Sequence, residues 1–338
     1  MKMKFSIIIP VHNEQDKLKP CLDAIFSSET KDFEVIVVDD KSTDKSVEIA
    51  EMYPCKLITL GENKRAAYAR NIGRANSEGD IFVFIDADVI IKKDTLDVIW
   101  QSFKENNDIA AVTGILSKDC PYKNFFSQYK NLYMNYVFRK CPKYIDFLYG
   151  SIIAIKKEHY LPFNEGFKIT DDTELGQRYK ELNKKILLNP SLEVIHSKRY
   201  NFKTIIKNDF FVPFWWSKSF ILHRGYWDIF RKKRFAHARV SQIISVLVSC
   251  FLLISLFFQW NPIARHIFLS LLFLFILLSY NFFLFLYKEK GFLFLLKSII
   301  FTYLDMLVMG LGILTGFIDC LVKGFCKRSK RLFKTSIQ

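Results

Sequence analysis

Asp86 and Asp88 stand two positions apart where the apolar run FVFIDADVII (82–91) is interrupted. In an extended segment such positions point to the same side. Two like charges side by side repel, so the pair calls for a cation. The plain alternative is a solvated turn after a strand, where Asp is common. Two other apolar runs also end in polar residues. FSIIIPVHNE ends in Asn13 and Glu14, and FEVIVVDDKSTD carries Asp39 and Asp40. Three such ends together are more than the solvated-turn reading predicts.

The elements that must carry these ends alternate. QDKLKPCLDAIFSSE has Leu18, Leu22, Ile25 and Phe26 at helical spacing. KSVEIAEMY and RAAYARNIGRANS read as further helices, with CKLITLGEN as a strand between them and DIFVFIDADVII as the next strand. Strands apolar on both faces, alternating with helices, predict an α/β domain with a parallel sheet covered on each side. Ligands of such sheets bind at the carboxyl ends of the strands, where the acids lie. No GxGxxG or GxxxxGK[ST] follows any strand. A phosphate-bearing ligand would therefore need another counter-charge, which an acidic site supplies through a divalent metal.

SIIIPVHNE, VIVVDDKSTD, ARNIG, FIDAD and TDDTELGQR occur in the order and spacing of family 2 glycosyltransferases, and the resemblance covers residues 5–196. It implies the GT-A fold, a Rossmann-like and mostly parallel sheet with flanking helices, and a nucleotide-sugar donor. By that resemblance Pro10, Val11, Asn13, Glu14 and Asp40 would hold the nucleoside, with Asp40 facing the base and Glu14 near the ribose. Carboxylates accept from base N–H groups and ribose hydroxyls, so the residue types suit the role. Arg70 matches the family arginine beside the nucleotide; the other reading is a surface helix arginine.

Asp86-Ala87-Asp88 matches the family DxD. Asp88 would bind Mg2+ or Mn2+ bridging the diphosphate, and Asp86 would reach the ribose or the sugar. His196 stands where many GT-A enzymes place a metal-binding histidine; the alternative is a structural histidine. Gly150 and Ser151 open the acceptor half. NEGF departs from the Gly-Gly-Phe frequent at Gly166. Asp171-Asp172 takes the place of the family's Glu-Asp pair, with Asp172 as the general base. A lone carboxylate of near-normal pKa is a weak base, so positioning is expected to outweigh basicity. One of the two acids is also expected to cap the following helix.

The last third is mostly Leu, Phe, Ile and Val. Segments 240–260, 266–287 and 292–322 each read as long enough to span a bilayer of ~30 Å. Asp305 within the third is a charge snorkelling or paired inside the helix bundle or, in the sharper reading, a lipid head-group site. FVPFWWSKSFILHRGYWDIFRKKRF mixes aromatic and basic residues as interfacial segments do. YKNFFSQYKNLYMNYVF carries aromatics at helical spacing and reads as a helix packed on the sheet or, alternatively, facing acceptor or lipid. The organisation expected is a catalytic domain over 1–200, an interfacial segment over 201–238, a transmembrane region over 239–323 and a basic tail over 324–338. Basic clusters flank both ends of the apolar region, which asks for an even number of crossings against three apolar segments.

The net charge of +15 gathers beside these apolar segments, which fits anionic lipid better than nucleic acid. Seven cysteines without a CxxC pair argue against a disulfide framework or a zinc thiolate site and for free thiols in a reducing compartment. MKMKFSIIIP stops at Pro10 and reads as a first strand rather than a signal peptide. The expected protein is a membrane-anchored inverting glycosyltransferase working on the cytosolic face. Its partners would be a nucleotide-sugar, a lipid or lipid-linked acceptor, and the membrane; an oligomer is compatible with the sequence. A processive polysaccharide synthase is the second reading, weakened because FKTIIKNDFFVPFWWSK lacks a QxxRW motif. A catalytically silent membrane scaffold is the third, and the intact acids argue against it.

Overall fold

The computed structural model describes residues 4–323 of the chain and divides into two compact units. The first holds residues up to 123 together with 138–199. The second holds 124–137 and the chain from Tyr200 onward. The basic tail expected over 324–338 lies outside the described residues.

The first unit opens as its apolar runs predict. Strand β1 (Phe5–Val11), helix α1 (Gln15–Phe26), β2 (Phe33–Asp39), α2 (Ser46–Glu51), β3 (Lys56–Thr59), α3 (Arg65–Ala75) and β4 (Ile81–Ile85) alternate. The strands pair in parallel in the order β3-β2-β1-β4. Their side chains are buried on both faces in β1 and β4, where Ile7, Ile8, Phe82 and Phe84 are inaccessible. Burial on both sides is why these strands read as continuous apolar runs instead of alternating ones.

Next along the chain are β5 (Val89–Ile90), α4 (Thr95–Glu105), β6 (Ile109–Leu116), α5 (Phe125–Arg139), β7 (Tyr144–Ile145), β8 (Ile152–Lys156), α6 (Asp171–Glu181) and β9 (Lys185–His196). Here the sheet departs from the parallel expectation. β8 runs antiparallel between β4 and β6, and β9 pairs in parallel with β6 and antiparallel with β5 and β7. An apolar strand buried on both faces carries no signal for direction, so this reversal was invisible in the sequence. The sheet is therefore mixed, with its parallel half carrying the acid-bearing strand ends.

The second unit is helical: α7 (Phe202–Leu222), α8 (Tyr226–Lys232), a short hairpin of β10 (Arg234–Phe235) and β11 (Ala238–Arg239), then α9 (Val240–Leu256), α10 (Pro262–Lys290) and α11 (Phe292–Lys323). α7 and α11 approach closely at two glycines of α11 one turn apart. A Cβ on Gly312 would lie 2.2 Å from the Phe210 carbonyl oxygen, and one on Gly316 would lie 2.0 Å from Ser217 Oγ. Small residues at this spacing let two helices approach closely. Lys218 on α7 donates to Asp319 on α11 at 2.6 Å.

Most of α5 belongs to this unit and not to the sheet. Tyr129 meets Phe301 edge-on at 4.9 Å and donates or accepts with Thr302 at 2.9 Å. Tyr136 meets Phe282 at 5.2 Å. The aromatic spacing of α5 therefore serves the apolar helices. Asp305 is buried beside Asp209 and Lys130, and Lys130 is ion-paired to Asp209. Both carboxyl oxygens of Asp305 are buried without a hydrogen-bond partner.

α10 and α11 are long and apolar enough to cross a membrane, with only 22% and 28% of their most apolar stretches buried within the chain. The core helix of a soluble protein would be mostly covered. α9 has 17 residues, about 26 Å at a rise of roughly 1.5 Å per residue. That falls short of the span expected for 240–260. Among the described residues, α10 and α11 are the helices that reach that length.

Candidate active site

The site lies in the first unit, at the carboxyl ends of β1, β2 and β4, and is built by tying those ends together. β1 ends with Pro10 and Val11, which pair with Val38 and Asp39 of β2. The chain then turns through Asn13 at φ 56°. Asn13 accepts from the Thr43 amide at 2.8 Å through Oδ1, and its own amide donates to Ser42 Oγ at 3.0 Å. Asp39 accepts from the Ser42 amide at 3.1 Å. The Glu14 amide donates to Ser46 Oγ at 2.9 Å. Left-handed backbone also occurs at Lys41 and Arg65. Such strained conformations persist where surrounding bonds over-determine them.

Asp40 is almost fully buried and accepts from the backbone amides of Lys64 and Arg65, both at 2.6 Å. It thereby satisfies orphan donors at the start of α3 from a distant strand end. With α3 so fixed, Arg70 projects into the site. The guanidinium is 5% exposed, donating from Nη2 to Asp86 Oδ1 at 2.7 Å and from Nη1 to Asp171 Oδ2 at 2.6 Å. It also lies over the Phe163 ring at 5.2 Å. Burial works against its charge, but Asp171, Asp86 and Asp172 outweigh burial and hold Arg70 more firmly protonated than usual. The surface-arginine reading is therefore wrong.

Asp171 and Asp172 open α6 after Thr170, which sits at φ 68°. Three acids fill the first turn, favourably placed against the helix dipole. The side-chain cap expected from one of them is not formed in the usual way. The N-cap is Thr170, without a side-chain cap bond. Asp171 turns to Arg70 instead. Asp172 accepts from the Thr173 amide at 2.6 Å through Oδ1 and from the Gly150 amide at 2.7 Å through Oδ2. Burial first, and then the charge of Asp171, push the Asp172 carboxyl up to about 7. This differs from the near-normal carboxylate expected above.

Gly150 explains how these groups come so near one another. A Cβ there would lie 3.2 Å from Asp172 Oδ2, 3.4 Å from Arg70 Nη2 and 3.5 Å from Asp86 Oδ2. The missing side chain leaves that volume to charged groups. Ser151 follows, buried, in the turn just before β8. Gly166 donates its amide to Asn164 Oδ1 at 3.0 Å.

Asp88 faces a different group. The β5–β9 ladder pairs Val89 with His196, which brings His196 Nε2 to 3.2 Å from Asp88 Oδ2. Ala87 between the two acids is buried. Burial tends to raise the Asp88 carboxyl, but His196, Lys198 and Lys17 outweigh it and hold it well below the usual carboxylate range. A carboxylate oxygen and an imidazole nitrogen this close, both partly exposed, are a donor set that fits a divalent cation. Among the described residues no group of three or more His, Cys, Asp or Glu side chains forms a metal centre.

Lys17 and Lys198 escaped the sequence reading. Lys17 pairs with Glu14 at 2.6 Å. Glu14 is pushed up by burial, with Lys17 opposing. The signals were local: Lys17 is three positions past Glu14 on a helix, and Lys198 is two past His196 on extended chain.

Residues 6–161 match the family model Glycosyl transferase family 2. The chain thus carries a family 2 glycosyltransferase domain, and its architecture is the GT-A fold. It is 29% identical to the glycosyltransferase GlyA of Streptococcus pneumoniae over 208 residues, which is 56% of this chain and 30% of GlyA. It is 31% identical to a poly(ribitol-phosphate) beta-glucosyltransferase of Bacillus spizizenii over 36% of this chain and 21% of that protein. The dolichol-phosphate mannosyltransferase of Pyrococcus furiosus is 33% identical over 32% of each chain. The matches to these curated relatives thus span a third or less of their lengths. Among solved structures, the mannosyltransferase PcManGT from Pyrobaculum calidifontis, in complex with GDP-Man and Mn2+, superposes with a TM-score of 0.55 at 17% identity, over 95% of this chain and 88% of that one. At that identity the likeness speaks to fold alone.

Proposed function

We propose that the protein is an inverting glycosyltransferase that moves a sugar from a nucleotide-sugar to a lipid or lipid-linked acceptor at the cytosolic face of a membrane. The observation that carries this reading is Asp172. It is a single carboxyl raised to about 7, aimed by two backbone amides and set beside Arg70 and Asp86 at the strand ends.

In this mechanism Asp172 takes the proton of an acceptor hydroxyl. The acceptor oxygen attacks the anomeric carbon as the bond from that carbon to the diphosphate oxygen breaks, which inverts the centre. A base with a pKa near the working pH suits such a step. Arg70 holds Asp86 towards the donor and Asp171 beside the base. Pro10, Val11, Asn13, Glu14 and Asp40 form the strand-end wall for the nucleoside, and Gly150 and Ser151 border the acceptor. Asp88 and His196 are the residues that would hold Mg2+ or Mn2+. When bound, the cation neutralises charge on the departing nucleoside diphosphate. Lys17 and Lys198 add positive charge next to that pair.

The membrane seat is supported by the uncovered apolar faces of α10 and α11. Two crossings by these helices would leave both basic flanks on one side, in keeping with the positive-inside rule. The relatives whose names include poly(ribitol-phosphate) and dolichol-phosphate are in keeping with a phosphate-linked acceptor. Incubating the full chain with a panel of nucleotide-sugars and Mn2+ tests the reading. Turnover of one donor, lost in Asp172→Asn, is the expected result. Binding and hydrolysis of none would overturn it.

A further inference from the structure

ARNIG (69–73) supplies Arg70 to the site, and its next residue, Asn71, has no part in the reaction described so far. Consecutive residues leave a helix about 100° apart. Arg70 turns from α3 to Asp86 and Asp171, and Asn71 turns to the loop between β8 and α6. There one carboxamide meets both backbone polar groups of Phe163. Asn71 Nδ2 donates to the Phe163 carbonyl at 3.0 Å, and Oδ1 accepts from the Phe163 amide at 2.8 Å. Nδ2 also donates to Glu165 Oε1 at 3.0 Å, and Oδ1 accepts from the Tyr160 hydroxyl at 2.9 Å. Two donors and two acceptor lone pairs are the full capacity of this side chain. An ionised Asp there would offer no donor, and Gln would be one methylene too long.

The residue so pinned reaches back to the site. Phe163 is 3% exposed. Its ring meets Phe84 of β4 edge to face at 5.0 Å, and the Arg70 guanidinium lies over it at 5.2 Å. A desolvated cation is attracted to an aromatic face. Arg70 Nε is buried without a hydrogen-bond partner, so the guanidinium is held by its two Nη bonds and by this ring. The loop is also tied from its other side. Arg178 of α6 donates to the Pro162 carbonyl at 2.7 Å, and Asn164 donates to Glu174 Oε1 at 3.3 Å. Losing the Asn71 bonds would therefore free the Phe163 peptide groups without releasing the whole loop.

We propose that Asn71 is a positioning residue for the transfer reaction: it pins Phe163, and the Phe163 ring sets the Arg70 guanidinium that aims Asp86 and holds Asp171 beside the base. The proposal rests on the transferase reading above and extends it to a residue outside the site.

The test uses the full chain in detergent. Asn71→Asp keeps the shape but loses both donors and faces Glu165. Phe163→Leu keeps apolar bulk but removes the ring face. Each should lower kcat by about 10–100-fold, since a misplacement of about 1 Å remote from the chemistry costs about 10²-fold. The double variant should lose no more than the worse single one, because both changes act through one contact. Losses that multiply would overturn the proposal, and so would a wild-type kcat in Asn71→Asp. A second readout needs no turnover. With 15N-labelled arginine, one Nε–H resonance should carry the ring-current shift of Phe163 and move in Phe163→Leu. Asn71→Asp should move the same resonance. If no arginine resonance responds to Phe163→Leu, or if Asn71→Asp leaves it in place, the proposal fails. Should Asn71→Asp not fold, Asn71→Ser serves the same comparisons. A wild type that transfers no sugar would sink the transferase reading itself, whereas the resonance reports on the Asn71–Phe163–Arg70 contact in either case.

Discussion

Arg70 donates to Asp171 at 2.6 Å although the two lie 101 positions apart in the chain. The same guanidinium holds Asp86 at 2.7 Å, so one buried cation joins the end of β4 to the start of α6. Removing it leaves two acids without their counter-ion. Arg70→Ala should cost about 3–5 kcal/mol of stability, the range for breaking a buried pair. The check is the denaturation midpoint of the purified protein. An unchanged midpoint would mean that solvent compensates both carboxylates.

Asp172→Asn keeps the size of the side chain but cannot accept a proton. Turnover should fall by about 10²–10⁴, with donor affinity near that of the wild type. Asp171→Asn should instead lose stability, because it weakens the bond to Arg70. Steady-state rates and melting temperatures of the two variants separate these outcomes. If Asp171→Asn is the more damaging in turnover while folded, the base is Asp171. If neither loses more than a few fold, the acceptor is already ionised, as a polyprenyl phosphate would be.

The Asp172 carboxyl, pushed up to about 7, gives a sign to the pH dependence. Transfer should rise with pH as this group loses its proton and level off above about 7. Stability should move the opposite way. An unfolded Asp titrates near ~3.9, so between roughly pH 4 and 7 the folded state binds more protons than the unfolded one. The stabilisation is whole below the unfolded value and is lost as pH rises through the folded one. Asp172→Asn should flatten this part of the stability profile. A wild-type rate that falls from pH 6 to 7 would contradict the assignment.

Donor binding should require a divalent cation and should be lost in Asp88→Ala. Titration calorimetry of the donor, with metal and with excess chelator, reads this without relying on turnover. Lys17→Ala should weaken the same binding to a lesser degree, through lost charge beside the pair. Unchanged donor affinity in Asp88→Ala with metal present would remove Asp88 from the ligand set.

Gly312→Leu or Gly316→Leu should separate α7 from α11. Each added side chain meets backbone or side-chain atoms closer than van der Waals contact allows, and overpacking of this kind costs about 1–3 kcal/mol or more. Thermal unfolding in detergent measures the loss. A melting temperature equal to that of the wild type would mean the helices do not pack through these glycines.

The parallel half of the fold was legible because its strands are buried on both faces and its helices on one. Burial is what residue pattern encodes. Strand ends rich in polar residues were legible for a related reason: such residues are excluded from the runs themselves. The apolar character of α9, α10 and α11 was equally plain. Other features depended on partners that pattern does not name. The direction of β8, the shortness of α9 and the helical neighbours of α5 are of this kind. So are Asp40 capping α3, the close approach at Gly312 and Gly316, and the bridge from Arg70 to Asp171. Asp172 shows the division most clearly. Its residue type and its place before a helix were readable from sequence. Its raised pKa was not, because that comes from burial and from Asp171 at its side, held there by Arg70 on another helix. Sequence alone determined which groups this protein can bring to its site. Tertiary structure decided their charge and aim, because a carboxylate's proton affinity depends on the groups packed around it through space.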